Sequence, residues 1–441
     1  MRYLFLFLIC SLSVNAQLKG TITDDKNQPI PYVNIYIENS YTGTTSNEQG
    51  DYELALSKPG TYSIVYQFIG FKTQTKVIKV EQFPHELNIQ LVEESISLNE
   101  VVITRNENPA NRIIRASIAA RKSHLETINS YAADFYSKGL IRIKNAPEKF
   151  MGQEVEFDIE LDSTRSGIIY LSETISKIKY QKPDKLSENI IASKVSGDSN
   201  GFSFNNASDV DYNFYMNTIG VVNSEIVSPI ATYAFNYYRY KLEGVFYDNR
   251  GNLINKIQVI PRRVNDRVFS GVLYIVEDQW SIYGLELQVT GSQIQTPAVD
   301  LVTIKQNLSY DEKTDYWVVR SQTIGFEYKI LGFEGDGNFV ANYSNYELNT
   351  NFDETVFTNE VLAFAPKANK KDSTYWNTLR PVPLTREEFT DYIKKDSIQT
   401  LKKSKIYRDS LDTKNNTFKF GNLISGYSFE NSFEHKEFSI S

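Results

Sequence analysis

The run LELQV at 285–289 and the run SKIKYQ at 176–181 decide how most of this chain folds. In the first, Leu285, Leu287 and Val289 alternate with Glu286 and Gln288; in the second, Ser176, Ile178 and Tyr180 alternate with Lys177, Lys179 and Gln181. A period of two with one apolar face marks a half-buried strand of an antiparallel sheet. The pattern recurs from Tyr131 to about Leu348, broken by turn residues at Asp248-Asn249-Arg250-Gly251, at 311–315 and at Gly335-Asp336-Gly337. A long meander is expected, one face buried and the other wet. The candidate cover for the buried face is a helix at 110–126, since Asn108-Pro109 suits a helix start. Its residues Ile113, Ile114, Ser117 and Ile118 share one face, and Arg112, Arg115 and Lys122 lie on the opposite, solvated arc. The expectation is a curved sheet wrapped on a helix and open on one side.

Upstream, residues 17–104 read as a small all-β unit. Val33, Ile35 and Ile37 alternate with polar or aromatic neighbours, as do Tyr52, Leu54 and Leu56, then Tyr62, Ile64, Tyr66 and Phe68, then Leu87, Ile89 and Leu91. Turn signals at Asp24-Asp25-Lys26-Asn27, Asn47-Glu48-Gln49-Gly50, Lys58-Pro59-Gly60 and Ile69-Gly70 separate them, and strands this short and regular indicate a sandwich. Its 6 Lys face 11 Asp+Glu, and it contains no Arg. Farther upstream, Arg2, the apolar run Tyr3 to Cys10 and Val14-Asn15-Ala16 before Gln17 have the layout of a signal peptide at 1–16. Its removal leaves no cysteine, so disulfides cannot support the exported chain. Downstream, 366–441 is polar, with 14 Lys+Arg against 10 Asp+Glu. There Thr385 and Glu388 fit a capping box, Leu384 and Phe389 a hydrophobic staple, and Phe389, Tyr392 and Ile393 a narrow apolar stripe. A charged helical tail is expected.

With 441 residues, 41% hydrophobic and 13% aromatic, the chain is not disordered. A net charge of −7 excludes a general nucleic-acid footprint. The stretch LKGTITDDKNQPIPYVNIYIENSYTGTTSNEQGDYELAL, with Asp24, Pro29, Val33, Thr45, Gly50 and Tyr52 at the matching places, resembles the carboxypeptidase regulatory-like domain. The closing LNEVVIT is similar to the tail joining that module to TonB-dependent outer-membrane receptors. GIIYLSETISKIKYQKPDKLSENIIASKVSGD, NKIQVIPRR, FSGVLYIVEDQWSIYGLEL and YWNTLRPVPLTREEFTDYIKKDS resemble an outer-membrane-associated domain of unknown function that follows this sandwich. Residues 240–350 are also similar to the half-barrel of periplasmic lipoprotein carriers. The resemblance implies a mainly β chain: an Ig-like or transthyretin-like sandwich at 17–104, a helix-covered curved sheet at 105–365, then the tail at 366–441. That second family usually continues into a transmembrane β-barrel of at least about eight strands. After Gly421 only NLISGYSFENSFEHKEFSIS remains, so a truncated or barrel-less chain is expected.

Residue chemistry adds little to this. Gly197-Asp198-Ser199-Asn200-Gly201 matches a nucleophile motif, but FSFNNASDVDYNF follows where a helix is required. Asp209, Asp211 and Asn213 imitate a calcium loop without its Gly or closing Glu. His85, His124 and His435 have no zinc spacing. Asp158, Glu160 and Asp162 read as a wet strand face. No catalytic residue, metal or cofactor is therefore expected. The leading reading is a non-enzymatic cell-envelope protein, exported to the periplasmic face of the outer membrane. Its expected partner is an outer-membrane or periplasmic protein, with membrane association through a missing barrel or that partner. The extended Glu100, Val101, Val102 and Ile103 form a candidate partner-binding strand. The alternative is a lipid or lipoprotein carrier with a cavity bordered by Trp280, Ile282, Leu285 and Leu287, and the remote alternative a serine hydrolase. The helix has apolar width enough to seal the sheet, so a filled core is expected.

Overall fold

The computed structural model describes residues 17–95, 108–150, 153–154, 161–415, 427–431 and 436–440. The signal at 1–16 and the strand at 100–103 lie outside the described residues. The first unit is a sandwich of two sheets. One orders Asp51–Ala55, Gln17–Thr23 and His85–Glu86, with Ile89–Gln90 also on Gln17–Thr23; the other orders Gly43–Thr45, Asn34–Ile37, Gly60–Gln67 and Gln74–Val80. Their facing residues Leu18, Ile22, Val33, Ile35, Tyr52, Leu54, Ile64, Tyr66 and Leu91 form a closed core. Across it the Tyr52 and Tyr66 hydroxyls meet at 2.9 Å, so two buried polar atoms satisfy one another. The turns form where Asp24 and Asn47 accept backbone N–H groups two and four residues on.

The second unit is an eleven-stranded sheet. Tyr238–Tyr247, Leu253–Pro261, Ser270–Val276, Ile282–Thr290, Val299–Asp311, Tyr316–Ile330 and Phe333–Leu348 run as an antiparallel meander. Ser130–Lys144 pairs with the last of these, Gly167–Gln181 and Lys185–Val195 follow, and Leu362–Phe364 adds a parallel edge. Helix α1, Pro109–Thr127, starts as its sequence indicates: Pro109 opens it and the Asn108 side chain accepts from Ala110 N. Its Ala110, Ile113 and Ile114 join one core with Ile254, Ile257, Leu273, Ile275, Leu285 and Leu287. Arg112, Arg115 and Lys122 are exposed as expected, and the two arginines also make surface contacts. Arg112 pairs with Glu277 at 2.7 Å and lies over Trp280, and Arg115 lies over Phe235.

Two expectations are corrected. First, α1 does not cover the concave face alone. The segment 202–237 lies over it as well, contributing Phe214, Tyr215, Ile219, Ile226 and Ile230 to the α1 core, and Ala207 and Val210 to a second cluster with Phe135, Ile178 and Tyr343. Polar bonds hold that segment down: Ser137 Oγ donates to Asn205 O, Asn205 Nδ2 to Ser172 Oγ, and Ala207 N to Glu188.

Second, the convex face is wet only in part: Lys177 is exposed and Glu286 and Lys305 are partly so, but elsewhere the face is covered. The sandwich docks on its centre. Arg320, left without a register partner between Ser321 and Val319, donates to the carbonyls of Tyr41 and Ser40 and lies 4.2 Å from the Tyr36 ring centroid. Gln67 donates to Tyr283 and Leu308 O. At Gly284 a Cβ would come within 2.4 Å of Ile69 Cδ1, so glycine is what lets the sandwich tip approach. The tail covers the strands beyond. Helices α2 (Ser373–Leu379) and α3 (Arg386–Lys403) bury Trp376 against Tyr136, Ala192 and Val340, and Tyr392 against Leu140, Ile168 and Leu171; α4 (Lys405–Asn415) follows. The face reads as polar because much of what is buried there is ionic. Arg380 holds Glu173 through two bonds of 2.6 and 2.8 Å, and Lys138 meets Glu388 at 2.8 Å. The Thr385–Glu388 capping box is present, but Phe389 and Ile393 are exposed, and Glu388 and Tyr392 are the buried residues of α3. Leu384 therefore packs on the Tyr392 cluster rather than serving a buried Phe389.

Candidate ligand-binding cavity

Antiparallel register brings distant tyrosines together. Tyr180 pairs with Tyr131, and Tyr131 with Leu348 on its other side, so three neighbouring strands end on one aromatic group. Tyr131 lies 5.3 Å from Tyr180 and 5.7 Å from Tyr346, and Tyr343 lies 6.3 Å from Tyr346, ring centroid to centroid. Helix α1 ends just short of them, with Ile128 as its C-cap. Between the helix end, this group and segment 210–216 the concave face keeps a cavity of about 370 Å³. Its walls are mainly apolar and aromatic, including Leu125, Ile128, Phe214, Ile282, Leu308 and Tyr316. That volume falls within the range of roughly 300–1,000 Å³ typical of small-molecule sites. A cleft of about 480 Å³ on the convex side is the space left between the docked sandwich, at Tyr32, Phe68 and Phe71, and the sheet.

Paired glutamines fix the roof of the cavity. Gln306 Nε2 donates to Tyr212 O at 2.7 Å and to Gln322, and Gln322 Nε2 donates to Val210 O at 2.7 Å. His124 forms the wall at the helix end. Its Nε2 lies 3.0 Å from Gln279 O, its ring packs 5.2 Å from Tyr215, and burial holds its imidazole below the ordinary histidine range. Burial raises the Tyr131, Tyr215, Tyr316, Tyr343 and Tyr346 hydroxyls, so all five are neutral at pH 7. Asp211 stands at the mouth, reached by water yet crowded by protein, and lost hydration lifts its carboxyl above the ordinary value.

Of the four residues expected to border a cavity, Ile282 does so. Leu285 and Leu287 lie fully buried in the α1 core, and Trp280 packs against that core at its edge. The 197–201 motif forms a turn bound by α3: Gln399 accepts from Ser199 N and Lys403 donates to Ser199 Oγ. Its hydroxyl faces a lysine, and His124, the cavity's histidine, lies in a different site. Of the calcium-like trio, Asp209 accepts from Asn206, whereas Asp211 and Asn213 both line the cavity, Asn213 also accepting from Tyr215 N. Among the described residues no group of three His, Cys, Asp or Glu is placed to hold a metal ion, and no helix is long and apolar enough to cross a membrane. His85 lies in a sandwich strand, Asp162 caps the turn to Ser166, and Asp158, Glu160 and His435 fall outside the described residues. Sequence reading assigned neither the tyrosine group nor His124 to a cavity; strand register gathers Tyr131 and Tyr180, and the packing of α1 places His124.

Fold and site together define a mainly β protein of two modules, a small sandwich docked on a helix-covered curved sheet whose concave face holds an apolar cavity. The chain belongs to a family of unknown function, DUF5686, whose model matches residues 113–346. Residues 18–103 match the CarboxypepD_reg-like domain. A TonB-dependent receptor of Formosa agariphila is 33% identical over 97 residues; these are 22% of this chain, which spans only 9% of that receptor's length. Among solved structures, a putative outer membrane lipoprotein-sorting protein domain from Vibrio parahaemolyticus aligns over 57% of this chain and 98% of its own, at 12% identity and TM-score 0.25. A LolA superfamily protein from Nitrosomonas europaea aligns over 57% and 98%, at 10% identity and TM-score 0.20. The two family matches suggest a cell-envelope protein.

Proposed function

We propose that this chain is a non-catalytic binding component of the cell envelope. In this reading residues 1–16 direct export, and units 17–104, 105–365 and 366–441 lie at the periplasmic face of the outer membrane beside an outer-membrane or periplasmic protein. The sheet unit binds an apolar ligand in the cavity beyond α1. One observation carries the reading: about 370 Å³ of mainly apolar space persists on a face whose other half is a continuous buried core. The space opens at a mouth, and its volume with mainly apolar and aromatic walls suits a small apolar ligand. Native mass spectrometry of the protein purified from its own envelope is the test. A bound apolar molecule is expected, lost in Leu125→Lys while circular dichroism stays unchanged. Protein that is folded and ligand-free in both forms would overturn the proposal.

A further inference from the structure

The polar equipment of the cavity mouth is specific in sign. Tyr131, Tyr180, Tyr343 and Tyr346 line the same end of the cavity as Asp211, and the Asp211 charge acts on all four hydroxyls. Two of those hydroxyls are committed to the backbone, Tyr180 donating to Pro183 O and Tyr346 to Val319 O. Those two therefore offer a ligand ring surface rather than a free hydroxyl. Aromatic faces carry negative potential and attract cations, ammonium groups above all. Asp211 adds a carboxyl group to the same lining, and its side chain makes no hydrogen bond or ion pair among the described residues. Lys182 shares the rim but is directed elsewhere: its Nζ lies 3.5 Å from Asn129 Oδ1, and the acid that acts on it is Glu126. It leaves Asp211 unneutralised.

Resting on the cavity being a ligand site, we infer that its ligand is an amphiphile bearing an ammonium group, with the cation against Asp211 and the four tyrosines and the apolar body toward Leu125, Phe214 and Leu308. Three single-chain lipids with the same acyl chain separate the possibilities when titrated below their micellar concentrations onto the full chain. Lysophosphatidylethanolamine carries the ammonium, lysophosphatidylglycerol a net negative head, and monoacylglycerol no charge. The ammonium lipid is expected to bind about tenfold tighter than either of the others, the effect of a cation on partly desolvated aromatic faces. Asp211→Asn, an exposed substitution that leaves the core untouched, should bring the three within about twofold, and Lys182→Gln should leave the preference in place. Equal binding of all three by the unaltered protein would overturn this inference and leave the cavity reading standing. Binding of none would overturn both.

Discussion

Under α1, the strands from Tyr238 to Thr290 meet a solid layer, whereas toward Ser130–Lys144 and Phe333–Leu348 the same concave face retains a cavity. The side chains explain the difference. In the filled half, branched aliphatic residues such as Ile254, Ile275 and Leu285 share one buried core with Ala110, Ile113 and Ile114, shapes suited to close packing. In the open half, large tyrosine rings lean on one another, and the cover is an irregular segment pinned through polar bonds from Gln306, Gln322, Ser137 and Glu188. Each bond fixes the height of the cover, and a collapse that closed the cavity would leave buried polar groups unpaired. A polar scaffold thus keeps an apolar space open where an apolar contact would have shut it.

The strongest way to break the contrast is from behind. Glu173 lies on the strand that carries Tyr180, and Arg380 of the tail neutralises it from the convex side. Arg380→Ala strands a buried carboxylate, and a loss of roughly 3–5 kcal/mol is expected in urea unfolding. Leu285→Ala attacks the filled half directly and should cost about 3 kcal/mol, within the usual span for buried leucine. Acid tests the same outer support more gently. Burial alone would raise the Glu173 carboxyl, but Arg380 and Tyr136 outweigh it and hold it below the ordinary value; burial likewise opposes and Arg142 outweighs it at Glu48. Depressed carboxylates contribute stability that is fully present above the unfolded value near about 4.3 and lost as pH falls through the folded value. The contribution of these two carboxylates should accordingly be intact down to about pH 5 and be lost below about pH 4, with Arg380→Ala showing a shallower acid loss there, while the depressed His124 adds a separate loss as pH falls through the ordinary histidine range. The smallest effect belongs to the cavity wall. Leu348 is only half-buried and borders empty space, so Leu348→Ala should cost under about 1 kcal/mol. A cost equal to that of Leu285→Ala would show the two halves to be equally packed.

Much of the architecture was legible in residue order. Alternation at Tyr52, Leu54 and Leu56 and at Leu285, Leu287 and Val289 named buried faces correctly, because a strand's period of two is local. Asn108-Pro109 and the Thr385–Glu388 box marked helix starts for the same reason. The convex face was misread because Glu173, Lys138 and Glu388 are charged, and a charge reads as wet until its partner is known. Phe389 and Ile393 were misassigned by the converse rule, that apolar residues on a helix must be covered.

The sequence by itself determined the two β modules, the helix between sandwich and sheet, the capped tail helix and an acidic sandwich with no arginine of its own. Tertiary structure alone decided that the sheet domain supplies Arg142 and Arg320 to that sandwich, that segment 202–237 shares the concave face with α1, and that Asp211 joins four tyrosines at one mouth. The reason is distance along the chain. Periodicity and capping are written within a few neighbouring residues, but cavities and ion pairs between residues hundreds of positions apart depend on strand register and on which surfaces dock, and neither is encoded locally.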